Sequence, residues 1–158
     1  MKTKLFWFGI FCGIILVFFL FDFILSKQYA IELIGVSPDP IVMDGSTPVN
    51  IQVKLIRRGG EPVEGHDIYA LSLDGGQFQA YRKKTGSRGR VSFTYFPYLA
   101  DKTNPLHDIR FEFRDESNSV FIEVNAKNIF TISAVEGRAA VRESAFTLKS
   151  IFGEQEAP

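Results

Sequence analysis

Residues 49–55 read Val-Asn-Ile-Gln-Val-Lys-Leu. Val49, Ile51, Val53 and Leu55 alternate with Asn50, Gln52 and Lys54, a period of two that puts the apolar side chains on one face of a strand. A strand with one apolar face needs a second layer to cover it. The same pattern recurs on both sides of this stretch. Upstream, Tyr29 to Val36 reads as a strand closed by Ser37-Pro38-Asp39-Pro40, and Asp44-Gly45-Ser46 as a turn. Downstream, Arg58 to Pro62 turns the chain and Asp67 to Leu73 forms the next strand. Asp74-Gly75-Gly76 is a hairpin signal, so Gln77 to Lys84 is expected to pair back. Val91, Phe93 and Tyr95 alternate up to Pro97, and Ile109, Phe111 and Phe113 alternate with Arg110, Glu112 and Arg114. Asp115 to Ser119 turns, Val120 to Val124 is expected to run back, and Ile129 to Val135 extends that strand or adds one. Seven to eight short strands with no helical period predict an all-β, antiparallel sandwich.

The amino end obeys a different rule. The run from Leu5 to Leu25 carries one charge, Asp22. As a helix it spans about 31 Å at roughly 1.5 Å per residue, against a hydrocarbon core of roughly 30 Å. Lys2 and Lys4 precede it, and Trp7 falls where an interfacial aromatic is expected. The lysine bias predicts a cytoplasmic N-terminus with the sandwich on the outer side. No small-x-small site follows the apolar run, so the segment is expected to stay as an anchor. The chain therefore divides into residues 1–27 (N-terminus and membrane helix), 28–136 (sandwich) and 137–158 (tail). In the tail, Val141, Ala145, Leu148 and Phe152 have the spacing of a short helix.

Composition removes several function classes. Taking Lys2, Lys4 and Lys27 from the 18 basic residues and Asp22 from the 18 acidic ones leaves 15 against 17 from Gln28 onward. A weakly acidic domain has no general attraction to nucleic acid. Cys12 is the sole cysteine and lies inside the apolar run, so packing alone must hold the sandwich. The absence of disulfides and of Asn-x-Ser/Thr sequons leans towards a bacterial envelope protein.

Three stretches resemble the bacterial immunoglobulin-like domains of the invasin and intimin type, group 1: Pro38-Asp39-Pro40-Ile41-Val42-Met43-Asp44-Gly45, Gly60-Glu61-Pro62-Val63-Glu64-Gly65-His66, and Lys84-Thr85-Gly86-Ser87-Arg88-Gly89-Arg90-Val91-Ser92-Phe93. The resemblance covers roughly residues 30 to 126. It implies an Ig-like β-sandwich and, since the shared motifs are turn chemistry, no catalytic residue. Domains of that family serve as spacers and adhesive modules in surface proteins.

Nothing in the residues suggests catalysis. His66-Asp67 and His107-Asp108 are sequence neighbours whose side chains leave a strand on opposite faces, and no nucleophile elbow occurs. Gly60 to Gly65 has the glycine spacing of a phosphate loop, but His66-Asp67 replaces the required Lys-Ser/Thr. Two histidines without an outer cysteine make a poor zinc set. Asp101, Asn104 and Asp108, or Asp115, Glu116 and Asn118, offer oxygens for calcium, yet they read as ordinary turn composition. The expectation is a chain without enzymatic activity, cofactor or metal.

Two binding features remain. Arg82, Lys83, Lys84, Arg88 and Arg90 set five positive charges around one turn, a candidate site for an anionic surface or acidic partner. Gly9 and Gly13 form a GxxxG face on which a second copy of the membrane helix can pack as a homodimer. Only Ser26 to Gln28 separates the apolar run from the first strand, a reach of about 10 Å. A domain held that close to lipid suits a scaffold or accessory subunit among other membrane or envelope proteins. The alternative is an adhesion or cell-wall-polymer binding module.

Overall fold

The structure is a computed structural model describing residues 2–137, so the tail helix expected at Val141 to Phe152 lies outside the described residues. Helix α1 runs from Lys2 to Ser26. Within it Phe6–Ser26, of mean hydropathy 2.7, is long and apolar enough to cross a membrane. Its phenylalanines are exposed on every side, and the two buried positions among its described side chains are polar ones near its end, Asp22 and Ser26. A helix that is apolar all round and unburied by its own chain has the surface that lipid demands.

Ten strands follow: β1 (Tyr29–Ser37), β2 (Ile41–Met43), β3 (Val49–Arg57), β4 (Asp67–Ser72), β5 (Gln77–Phe78), β6 (Arg82–Lys84), β7 (Arg90–Phe96), β8 (Ile109–Asp115), β9 (Lys127–Ile132) and β10 (Ala134–Glu136). They make two four-stranded antiparallel layers, β1-β3-β7-β5 and β6-β4-β8-β9, with β10 and β2 pairing in parallel beside them. Reading β1, β3, β4, β5, β6, β7, β8 and β9 as strands A, B, C, D, C′, E, F and G, the layers are A-B-E-D and C′-C-F-G. Without β6 the layers, A-B-E-D and C-F-G, have the immunoglobulin order; β6 departs from it, since it joins the edge beside C only after D in the chain.

The alternating faces meet between the layers. Val49, Ile51, Val53, Leu55, Phe93 and Tyr95 from one and Ile68, Ala70, Ile109, Phe111 and Phe113 from the other are fully or almost fully buried. Phe78 sits among Phe93, Phe111 and Phe113, with ring centroids 5.8, 5.6 and 6.1 Å away in edge-to-face contact. Such pairs add about 0.5–1.5 kcal/mol each beyond the area they bury, so an aromatic cluster does here what a disulfide does in many small extracellular domains.

Two runs depart from expectation. Gln77 to Lys84 does not return as one hairpin arm. Gln77–Phe78 pairs with β7 in the first layer, and Arg82–Lys84 crosses to pair with β4 in the second. Phe78 enters the aromatic cluster from the first layer, and the chain changes layers between it and β6. Val120 to Val124 is not a strand. It lies in the loop between β8 and β9, and the strand that returns along β8 is Lys127–Ile132. The strand number, ten against seven or eight, differs through pieces of two or three residues such as β2 and β10.

Candidate functional site

Two residues, Lys27 and Gln28, join α1 to β1. Because β1 starts there, one end of the sandwich is fixed against the helix: the end bearing Tyr29, its partner Arg57, the start of β4 and the end of β8. The junction is tied by main-chain bonds from Arg58 N to Gln28 O (2.6 Å) and from Asn125 N to Ser26 O (3.2 Å).

The strongest tie comes from a side chain of the helix itself. The Asp22 carboxylate accepts hydrogen bonds from the amides of Val120 (3.0 Å), Phe121 (2.8 Å) and Ile122 (2.9 Å) and from the Ser119 hydroxyl. Ser119 N closes the loop on Ile122 O at 2.8 Å, and Val124 N bonds Ser117 O at 2.7 Å below it. The β8–β9 loop thus wraps its tip around a helix carboxylate. Asp22 is 3% exposed as a result. A carboxylate taken out of water is costly unless its lone pairs are filled, and these four donors fill them.

The root of the same loop is tied to the sandwich. Asp115, fully buried, takes the His66 ring at 2.7 Å through one oxygen and the Ser117 amide at 2.9 Å through the other. The Ser117 hydroxyl in turn accepts the Asp67 amide at 2.7 Å. The His66 ring lies 5.3 Å from that of Tyr29 at the start of β1. Tip and root together make one polar chain from β4 through the loop to α1. His66 therefore pairs with a carboxylate 49 residues away and not with Asp67 beside it. Among the described residues no hydroxyl or thiol hydrogen-bonds the other ring nitrogen.

The five basic residues lie near this same end, across the two layers. Arg82 pairs with Glu116, and Lys84 lies 2.9 Å from Asp67. Lys83 donates to Ser92 O at 2.9 Å. Arg88 and Arg90 are exposed and enter no ion pair among the described residues. Arg90 stands opposite Lys54 on β3, two strands from β1. Along α1, a side chain built at Gly9 or Gly13 would meet nothing within 4 Å, so that face is open.

At the far end, Tyr98 and His107 share a hydrogen bond of 3.1 Å. Asp74 holds Arg110 through both carboxylate oxygens, at 2.6 and 2.9 Å, which keeps its carboxyl down at about 2. Leu99 and Leu106 are exposed there. Among the described residues no group of three or more His, Cys, Asp or Glu side chains is placed to hold a metal. Of the carboxylates weighed for calcium, Asp101 accepts the amides of Thr103 and Asn104 at 2.7 and 2.8 Å, Asp108 accepts the Ala134 amide at 3.3 Å, Asp115 holds His66, and Glu116 pairs with Arg82 and Arg114.

Sequence reasoning registered Asp22 only as a charge near the end of an apolar run. The signal that betrays its role is the pair Val120-Phe121, apolar residues in a turn-rich stretch with no strand to belong to.

The fold defines a class, an immunoglobulin-like sandwich preceded by one long apolar helix. No family model matches the chain, and no curated protein matches it. The solved structures that it resembles include three from intimin. They are the D0-D1 domain (14% identity, 68% of this chain and 49% of that one, TM-score 0.44), the D00-D0 domain (10%, 68% and 48%, 0.45) and the C-terminal 282-residue fragment in complex with the intimin-binding domain of the translocated intimin receptor (17%, 63% and 31%, 0.43). The chain spans less than half the length of each of these structures.

Proposed function

We propose that this chain is a single-pass membrane protein whose sandwich, on the extracytoplasmic side, is a non-catalytic scaffold or accessory subunit of a membrane-associated envelope assembly. The observation that supports this reading most is the Asp22 cradle. With a two-residue connection, it fastens the domain to the helix and keeps its flanks level with whatever protrudes from neighbouring membrane proteins. A module built to reach other cells gains nothing from such a clamp. Arg88 and Arg90, near the clamped end, add attraction to anionic headgroups, each worth about 1 kcal/mol close to an anionic surface. The open Gly9–Gly13 face offers a second copy a place to pack.

A second reading, an adhesion or wall-polymer binding module, draws on the exposed Leu99 and Leu106 beside Tyr98 at the far end. Site-specific photocrosslinkers in the full chain, in its own cells, separate the two. On the first reading, a probe at Ile129, exposed on the flank strand β9, captures membrane proteins and a probe at Leu106 captures little. Capture of wall or external material from Leu106, with none from Ile129, rejects the scaffold role in favour of the second reading.

A further inference from the structure

The β8–β9 loop presents the two most exposed large apolar side chains of the described sandwich, Val120 at 60% and Phe121 at 71%. They sit at the helix end of the domain, where the Val120 amide bonds Asp22 and the Phe121 side chain lies against α1. The Phe121 ring lies 6.0 Å from that of Phe19, and the groove between loop and helix is lined by Ile15, Phe18, Phe19 and Phe121 alone. Phe19 stands about two helical turns before Ser26, where α1 ends. Phe121 therefore lies well inside the level at which the chain leaves α1. Resting on the reading of α1 as a membrane span, we infer that the Val120-Phe121 tip is a lipid-binding surface, a wedge seated among the acyl chains of the outer leaflet beside α1.

Backbone physics supports that occupant over water. A loop entering hydrocarbon must leave no bare amide. At this tip the four successive amides are all bonded: Ser119 to Ile122 O, Val120 to one Asp22 oxygen, Phe121 and Ile122 to the other. A carboxylate on a membrane helix needs donors, and a loop dipping into lipid needs acceptors; each meets the other's requirement. In water neither Asp22 nor these amides would need the arrangement, and Val120 and Phe121 would be better placed in the core.

Tryptophan fluorescence of the full chain reconstituted in phosphatidylcholine vesicles tests the wedge, using lipids brominated at shallow acyl positions and iodide in the water. Trp7, the native tryptophan, reports α1. In a Trp7→Phe background, Phe121→Trp and, separately, Val120→Trp report the loop. The expected result is quenching of both loop reporters by brominated lipid with little effect of iodide. Adding Asp22→Asn to Phe121→Trp is expected to raise iodide quenching severalfold as the loop is released. Loop reporters quenched by iodide and untouched by brominated lipid, while Trp7 is quenched by lipid, overturn the wedge and leave the anchor standing. Loop reporters shielded from both quenchers indicate a protein contact and also overturn it. If Trp7 itself escapes lipid quenching, the membrane reading of α1 falls, and the wedge with it.

Discussion

Gly89 has φ +65°, and a Cβ there would lie 2.5 Å from Leu55 O and 2.9 Å from Val63 N. Both neighbours are backbone, held by the bonds from Leu55 N to Gly89 O and from Val63 N to Leu55 O. Gly89→Ala therefore requires strand β3 and the turn before β4 to move apart. The expected loss of stability is about 1–3 kcal/mol, measured by chemical denaturation of the detergent-solubilised chain; a loss within about 0.5 kcal/mol, the range of neutral surface changes, contradicts the close approach. Asp74 gives a pH signature. Its carboxyl drops from an ordinary 3.8 to about 2, chiefly through the Arg110 side-chain hydrogen bonds. A group depressed in the folded state stabilises above its unfolded value and loses that contribution as pH falls through the folded one. Stability supplied by Asp74 is thus complete above about pH 4 and fades towards about pH 2. Asp74→Asn should flatten the acid limb of the stability curve in that window and leave the slope above about pH 5 unchanged. At this scale the sequence was partly legible. The glycine turn is visible as Gly86-Ser87-Arg88-Gly89, but the backbone that crowds it belongs to Leu55 and Val63, too far away along the chain for any local pattern to report.

Among the elements, the strands with a clean period of two were readable: β3, β7 and β8 lie where Val49 to Leu55, Val91 to Tyr95 and Ile109 to Phe113 place them. The failures share a cause. Gln77 to Lys84 and Val120 to Val124 contain apolar residues whose placement is decided by something outside the local run, burial in an aromatic cluster for Phe78 and contact with the helix for the exposed Phe121. Alternation tells that a side chain wants cover and is silent on what supplies it. The clamp between α1 and the loop has its own measurable consequence. Charge-assisted hydrogen bonds are worth about 1.5–3 kcal/mol each. Asp22→Ala removes the acceptor from three amides, so exchange of the Val120, Phe121 and Ile122 amides in nanodiscs should quicken by about 10- to 100-fold, at roughly 1.4 kcal/mol per tenfold. Amides in β3 serve as the internal control, and acceleration there by the same factor would mean global loosening in place of a released loop.

The whole molecule has two ends with different chemistry. One bears the helix junction, the Asp115–His66 root, the cradle and the exposed arginines; the other bears Tyr98, His107, Asp74 and the loop around Lys102. The lysine pattern before α1 predicts which side of the membrane the sandwich occupies. With Cys12→Ser as background, Lys102→Cys should react with a membrane-impermeant maleimide in intact spheroplasts; labelling only after permeabilisation would invert the topology. The class of fold and the position of the long apolar helix could be read from the sequence because both rest on long, repetitive patterns. The way they are joined could not, since it depends on one carboxylate and a loop about a hundred residues apart in the chain. On the proposed reading of α1 as a membrane span, that joint makes the sandwich a lever. Strand β1 is nine residues long. At roughly 3.4 Å per residue it extends about 30 Å. Membrane helices tilt by about 20° on average, and the tilt responds to bilayer thickness. With so short a connection, clamped on the helix, a tilt of that size carries through to the domain and sweeps the far loops sideways by about 10 Å, a third of the strand length. On that reading a thinner or thicker bilayer would reposition Tyr98 and Leu106, and the local lipid would become a setting of what the distal surface can touch.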